Sequence, residues 1–187
     1  MRKESMPYRE DRALVEAVKS GDNTAFRQIV LKYEKLIAGV VKGMIGEDGA
    51  DDVGQETFIR FYKSIDQYKG EAGLGTYLVR IAVNLTLNEI KKRKRKQWFS
   101  LDDGTKMNGE ATDEHGRMER AEIINKALTK LEPEFRSVVV LRIIQGYSTK
   151  ETAEILQIPL GTVLSRLARG QEKLREILKK LGCRFGE

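Results

Sequence analysis

The chain has 187 residues, with 34 lysines and arginines against 28 aspartates and glutamates, and a net charge of +6. This length allows one domain or two small ones, and a hydrophobic fraction of 40% suits a globular protein. A single cysteine and a single histidine exclude an intrachain disulfide, a cysteine-based metal site and a histidine-rich one. No apolar run is long enough to form a signal segment or to span a membrane, so we expect a cytoplasmic protein without membrane insertion.

The charge is divided unevenly along the chain. Residues 1–96 carry a net charge of +5, residues 97–117 carry −3 and residues 118–187 carry +4. The middle segment is rich in glycine and aspartate, a composition typical of a flexible linker. In both outer blocks apolar residues recur at threes and fours, which is the helical period. The sequence therefore predicts an all-α protein: an N-terminal helical bundle (1–96), an acidic flexible linker (97–117) and a C-terminal helix-turn-helix domain (118–187).

Residues 148–160 have the pattern of a helix-turn-helix unit. Ser148 and Glu151 have the S-x-x-E spacing of a capping box, which begins a helix. A short helix with the small residue Ala153 follows, and a second helix is predicted from near Leu160. Gln157 stands in the turn where glycine is common, and a left-handed backbone there costs more for glutamine than for glycine.

The second of these helices is predicted to have two faces. Val163, Leu167 and Leu174 fall on the buried side, and the opposite side carries hydroxyls and guanidiniums near the helix N-terminus. A recognition helix presents that end to the major groove, where arginine can pair with guanine or contact phosphates. An ordinary solvated helix face has the same spacing, so spacing alone leaves both interpretations open. The candidate contacts to duplex DNA are Ser148, Thr162, Ser165, Arg166, Arg169 and Lys173.

The N-terminal block contains a dense acidic segment at residues 51–58. Its candidate functional residues are Asp51, Asp52, Gln55 and Glu56. Such carboxylates could hold the metal ions of a nuclease, but no histidine or second carboxylate pair completes that site. A solvated acidic face is the simpler interpretation, and a protein-binding surface is a third.

Two further segments of the N-terminal block are candidates for contact with nucleic acid. Residues 64–77 are glycine-rich and carry Tyr68 and Tyr77, whose rings could stack on bases or pack in the core. Residues 91–96 are six consecutive cations. The C-terminal dipole of a helix favours one or two cations, whereas six indicate a polyanionic partner.

These segments together resemble the extracytoplasmic-function sigma factors of bacterial RNA polymerase. Residues 132–142, 146–156 and 158–166 are similar to the promoter-binding C-terminal domain of that family. Residues 51–58 resemble its D-D-x-x-Q-E-x-F segment. The chain departs from the family at Leu164, Tyr77 and Leu74, where lysine or arginine, tryptophan, and phenylalanine are usual.

The resemblance implies a function and a set of partners. The chain would be a promoter-specificity subunit, not an enzyme, with no cofactor and no metal. Its partners would be core RNA polymerase (the β′ clamp helices and the β subunit), promoter DNA and an anti-sigma factor. Asp51, Asp52, Gln55 and Glu56 would bind polymerase, with Phe58 and Phe61 in the core. The helix-turn-helix contacts named above would bind the −35 element. The implied −10 contacts are Tyr68, Tyr77, Arg80, Asn84, Lys91, Lys92, Arg93 and Arg95.

Two other functions stay open from the residues alone. One is a helix-turn-helix regulator that binds duplex DNA without polymerase. The other is a metal-dependent nuclease that uses Asp51, Asp52 and Glu56.

Overall fold

The computed structural model describes residues 6–102 and 120–183, with side chains over 9–98 and 121–183. Within these ranges every regular element is helical, as predicted. The first domain contains α1 (Met6–Lys19), α2 (Asn23–Ile45), α3 (Ala50–Lys63), a 3₁₀ turn (Ile65–Gln67) and α4 (Leu74–Asp102). The second contains α5 (Arg120–Lys130), α6 (Pro133–Val139), a π-helical turn (Val140–Ile144), α7 (Thr149–Leu156) and α8 (Leu160–Lys180).

Over the described residues, the chain forms no helix with the length and apolar character that a membrane span requires.

The helix ends follow from local sequence. The Asp22 side chain accepts hydrogen bonds from the main-chain N–H groups of Thr24 and Ala25, at 2.7 and 3.2 Å, and so caps α2. Ser148 and Glu151 form the predicted capping box at the start of α7. Gln157 ends α7 in the left-handed conformation, with φ at +54°. The capping box predicted at Ser148 and Glu151 and the turn predicted at Gln157 are therefore confirmed.

The first domain packs around α2, which α1, α3 and α4 surround. The apolar residues of α2 that recur at the helical period are fully buried, Ile37 and Val40 among them. Phe61 of α3 is fully buried and Phe58 nearly so, as predicted. α4 continues to Asp102, beyond residue 96, at which the sequence predicts that the first domain ends. The rest of the predicted linker, residues 103–117, lies outside the described residues.

The two domains pack directly against each other. α7 lies against α4, and α5 and the π-helical turn lie against the C-terminal half of α2. Two glycines of α2 allow this close approach. A Cβ on Gly43 would lie 3.1 Å from a methyl of Val140, and a Cβ on Gly39 would lie 2.9 Å from the amide nitrogen of Gln145. A single apolar core consequently runs through both domains.

Candidate functional site

The acidic segment 51–58 lies in the first half of α3. Asp51, Asp52 and Gln55 are exposed, and the two aspartates stand in the first helical turn, where the helix dipole favours negative charge. Asp51 and Gln55 border a groove between α2 and α3 that is lined by Val30, Ala38 and Phe58 among others. Polar groups at the edge of an apolar groove are arranged as in a protein-binding surface.

The remaining residues of this segment point to a different side of α3. Asp52 and Glu56 line a second groove, between α3 and α4. Glu56 forms an ion pair with Arg60 at 3.1 Å. In the described part of the chain, no three carboxylate, histidine or cysteine side chains converge as ligands for a metal ion. The carboxylate cluster that a two-metal nuclease needs is therefore not formed by these residues.

The two tyrosines of the glycine-rich loop pack in an aromatic cluster. Tyr68 is 7% exposed, and its hydroxyl donates a hydrogen bond to the carbonyl of Ala72 at 2.8 Å. Its ring meets that of Tyr77 edge-on, with centroids 5.0 Å apart. Tyr77 also contacts Phe61 and is only half-buried. Of the two rings, Tyr77 is the one that a base could reach without movement of the loop.

Three predicted −10 contacts share one face of α4, because Tyr77, Arg80 and Asn84 follow at helical spacing. Asn84 is exposed, whereas Arg80 is half-buried. The buried Nε of Arg80 has no hydrogen-bond partner within the described residues. Arg80, Tyr68 and Tyr77 border a cleft whose opposite side is formed by Glu154 of α7. The second domain therefore stands over this face.

The cationic run 91–96 lies inside α4, because the helix continues to Asp102. The last turn of α4 contains no basic residue, so a helix-end dipole effect does not explain the run. Lys91, Lys94, Arg95 and Lys96 are exposed and Lys92 lies 3.8 Å from Glu89.

Arg93 differs from its neighbours in the run. It forms ion pairs with Glu89 and Asp48, both at 3.0 Å, and donates to the main-chain carbonyl of Asp48 at 2.9 Å. The hydrogen bond from Arg93 lowers the pKa of Glu89. Arg93 therefore links α4 to the segment before α3, and its neighbours carry the free positive charge.

The predicted −35 residues divide into engaged and free side chains. Ser148 accepts from the N–H of Glu151, Ser165 donates to the carbonyl of Thr162 at 3.1 Å, and Lys173 pairs with Glu132. The hydrogen bond from Lys173 lowers the pKa of Glu132. Arg169 is exposed on the outer face of α8.

Arg166 and Thr162 do not share the fully exposed face that the helical spacing predicts for them. Both are half-buried, and Arg166 lies 3.9 Å from Glu134 of α6. Arg166 also borders a cleft between α6 and α4 that includes Lys91 and Lys94. Of the predicted contacts, Ser165 and Arg169 are exposed on the outer face of α8. The other exposed residues there were not selected from the sequence, namely Leu160, Gly161, Leu164 and Ala168.

Carboxylates of the second domain face the cationic side of α4. Glu154 borders the cleft at Tyr77 and Arg80, and Glu132 and Glu134 border the cleft at Lys91 and Lys94. Sequence reasoning missed these acids because they are remote in sequence from α4. Nothing in the local sequence around Glu132, Glu134 or Glu154 indicates that these side chains approach the same helix.

Comparison with known proteins identifies both domains. Residues 29–96 match the family model described as Sigma-70 region 2, and residues 121–174 match Sigma-70, region 4. The chain is 32% identical to the ECF RNA polymerase sigma-E factor of Haemophilus influenzae, over 91% of this chain and 96% of that protein. It is 35% identical to the ECF RNA polymerase sigma factor SigW of Bacillus subtilis, over 89% and 96%. The chain belongs to the extracytoplasmic-function sigma factors.

Solved structures agree with this assignment. CnrH, solved in complex with the cytosolic domain of CnrY, superposes on this sigma factor with a TM-score of 0.67 and 25% identity, over 91% of this chain and 98% of CnrH. The sigma factor RpoE, solved in complex with the anti-sigma factor NepR from Bartonella quintana, superposes with a TM-score of 0.66 and 25% identity, over 82% and 96%. The resemblance expected from the sequence is thereby confirmed, and the chain is a transcription initiation factor that directs RNA polymerase to promoters.

Proposed function

We propose that this sigma factor binds core RNA polymerase through the outer face of α3 and binds promoter DNA through α4 and α8. The observation that carries this proposal is the location of exposed acidic residues and exposed cations on separate helices of a chain that matches regions 2 and 4. Its two units are residues 1–96 and 118–187, joined by residues 97–117. In this role it supplies no catalytic chemistry of its own, and it acts in the cytoplasm, where polymerase meets the chromosome.

The polymerase surface consists of Asp51 and Gln55 with the adjoining groove between α2 and α3. Asp52 extends this surface toward α4. The partner is the β′ clamp helices, with further contacts to the β subunit. Exposed carboxylates beside an apolar groove favour a helical partner that offers both cations and apolar side chains. Glu56, which is paired with Arg60, orients this end of α3 and contributes to the binding surface at its edge.

The −10 element is bound as a single strand along α4. Tyr77 offers a ring for base stacking, and Arg80 and Asn84 offer donors one and two turns further on. Lys91, Lys92 and Arg95 lie further along α4 and contact the phosphates of the duplex just upstream. Tyr68 supports the ring of Tyr77 at 5.0 Å. Arg93 holds the helix to Asp48, so its charge is already partly neutralised.

The −35 element is bound as duplex by the helix-turn-helix of α7 and α8. Arg169, Ser165 and Thr162 face the groove from the first half of α8. Arg166 and Lys173 reach phosphates at its edge once they release Glu134 and Glu132. Ser148 lies at the start of α7, where its hydroxyl accepts from the N–H of Glu151 and keeps its own O–H to donate to a phosphate.

An anti-sigma factor is a further proposed partner. Both solved structures named above are complexes, one with the cytosolic domain of CnrY and one with the anti-sigma factor NepR. This chain has the same fold, with exposed surfaces on both domains for such a partner to cover.

Run-off transcription tests the proposed function. Core polymerase, which is inactive at promoters alone, is mixed with the full chain and a library of genomic promoters. We expect specific transcripts that depend on both components, and binding of the promoter only when core polymerase is present. Promoter binding by the chain without polymerase would instead indicate an ordinary regulator, and cleavage of DNA in Mg²⁺ would indicate a nuclease.

A further inference from the structure

The outer face of α8 carries two leucines that are about half exposed in the structure. Leu160 is 49% exposed and Leu164 is 51% exposed, whereas the neighbouring Val163 is fully buried. The leucines are four residues apart and so lie on the same face, about 5–6 Å from each other. Nothing lies within 4 Å of a Cβ built on Gly161, so the surface between them is open.

The position of this leucine pair is unusual for side chains without polar groups. Both leucines belong to the first two turns of the second helix of a helix-turn-helix, the part that enters the major groove. The exposed cations Lys150 and Arg169 lie in the same helix-turn-helix, on α7 and one turn further along α8. The positive charges of Lys150 and Arg169 suit a polyanion such as DNA. An acidic protein partner would match these cations but not the leucines, and an apolar partner would match the leucines but not the cations.

A leucine can read only one group in the major groove. Guanine, adenine and cytosine present hydrogen-bond donors and acceptors there, and thymine alone adds an apolar group, its 5-methyl. Leucine has no donor for guanine, so a leucine over a G·C pair would leave polar base atoms unpaired. A leucine over thymine buries methyl against methyl and gains the free energy of apolar contact.

We propose that Leu160 and Leu164 read the 5-methyl groups of two thymines in the −35 element. Since bases rise by about 3.4 Å and the leucines are about 5–6 Å apart, the two thymines lie within about two base steps of each other. The specificity of this sigma factor thus includes an apolar component that its arginines do not supply. This inference rests on the proposed binding of the −35 element by α8.

The test begins with core polymerase, the full chain and a promoter library randomised in the −35 element. We expect the transcribed promoters to be enriched in thymine at two positions. Each thymine is then replaced by deoxyuridine, which removes the methyl group and keeps the base pair. Holoenzyme binding should fall about fourfold for each methyl removed, the equivalent of one buried methyl group.

Variants assign each methyl to one leucine. Leu164→Ala should abolish the discrimination between thymine and deoxyuridine at one position, and Leu160→Ala should do so at the other. Leu164→Arg should shift the preferred base at its position toward guanine. Leu31→Ala is the matched control, because Leu31 of α2 is 58% exposed and lies outside the helix-turn-helix; it should preserve both discriminations.

The outcomes separate this inference from the function on which it rests. If no promoter is transcribed by a core polymerase that is active with another sigma factor, the proposed function fails and this inference fails with it. If promoters are selected but show no thymine preference, or if Leu164→Ala leaves the discrimination intact, only the leucine assignment is overturned. Unchanged discrimination in Leu164→Ala is also the result expected if the leucines bind a protein such as an anti-sigma factor.

Discussion

Arg136 of the second domain donates a hydrogen bond to the main-chain carbonyl of Met44, at the C-terminal end of α2 in the first domain. Its guanidinium also donates to the carbonyls of Thr129 and Leu131. The carbonyls at the end of a helix have no partner within it, and that end attracts positive charge. Arg136 thus caps a helix of the other domain, and its burial lowers the pKa of its guanidinium.

Removal of this guanidinium should destabilise the protein. We expect Arg136→Met to lower the free energy of unfolding by about 3 kcal/mol, because each buried carbonyl left unpaired costs about 1–3 kcal/mol. Urea unfolding followed by circular dichroism measures the change. Arg169→Met is the matched control, since Arg169 is exposed, and it should alter stability by less than about 0.5 kcal/mol. Equal losses in the two variants would show that Arg136 does not hold the domains together.

Contact between the domains should depend on the lack of a side chain at Gly43. Leucine there would overlap Val140, whose methyl lies 3.1 Å from an added Cβ, and overpacking costs about 1–3 kcal/mol. We expect Gly43→Leu to separate the domains and enlarge the radius of gyration in small-angle X-ray scattering. Because α7 and Glu154 stand over α4, the same variant should bind a single-stranded −10 oligonucleotide more tightly.

Gly54→Leu provides the control for this change. Gly54 lies in α3, and nothing is within 4 Å of a Cβ built on it. Its radius of gyration should match the wild type. An unchanged radius in Gly43→Leu would mean that α2 and the π-helical turn tolerate the added side chain without separating.

Two adjacent cations of the basic run should affect different measurements. Lys94 is exposed, so Lys94→Ala should reduce the slope of log K against log salt by about 0.9 if it contacts a duplex phosphate. Arg93 is held by Glu89 and Asp48, so Arg93→Ala should leave the slope unchanged and lower stability by about 0.5–1 kcal/mol. Salt titrations of holoenzyme binding and urea unfolding separate the two effects. A reduced slope in Arg93→Ala would place that guanidinium on DNA.

The acidic face of α3 should determine affinity for core polymerase. We expect the double substitution Asp51→Asn and Gln55→Ala to weaken core binding about tenfold, the equivalent of about 1.4 kcal/mol, without loss of folding. Fluorescence anisotropy of the labelled chain with core polymerase measures this. Asp66→Asn, which alters an exposed acid in the 3₁₀ turn, should bind as the wild type does. Similar weakening by both variants would indicate a general charge effect.

The capping box makes the stability of α7 dependent on pH. Hydrogen bonds from the Ser148 side chain and main chain lower the pKa of Glu151. A carboxyl with a lowered pKa in the folded state stabilises the fold above its unfolded pKa, about 4.3, and loses this contribution as the pH falls through the folded pKa.

Glu151→Gln isolates this effect, because glutamine keeps the capping box but does not titrate. We expect the wild type to exceed this variant in melting temperature at neutral pH, and the difference to shrink below about pH 4. Thermal unfolding at a series of pH values measures it. A difference that does not vary with pH would show that the Glu151 charge contributes nothing to the fold.

The features that the sequence by itself determined depend on residues a few positions apart. The capping box of Ser148 and Glu151 and the start of α8 near Leu160 both involve neighbours within one helical turn. The two domains and the family were recognisable for the same reason, since their motifs are short and continuous. The sequence also places Gln157 in a turn where glycine is common, and its backbone is left-handed in the structure.

Only the tertiary structure decided which members of each motif are free to bind. Arg93 is held by Asp48 although its neighbour Lys94 is exposed, and Tyr68 is buried although Tyr77 is partly accessible. Arg166 turns toward Glu134, which leaves Leu160 and Leu164 on the outer face of α8. Whether each of these side chains is held or exposed depends on packing between segments far apart in the chain, as in the contact of Arg136 with Met44. Helical periodicity predicts which residues share a face of one helix, but it carries no information about the residues of other segments that contact them.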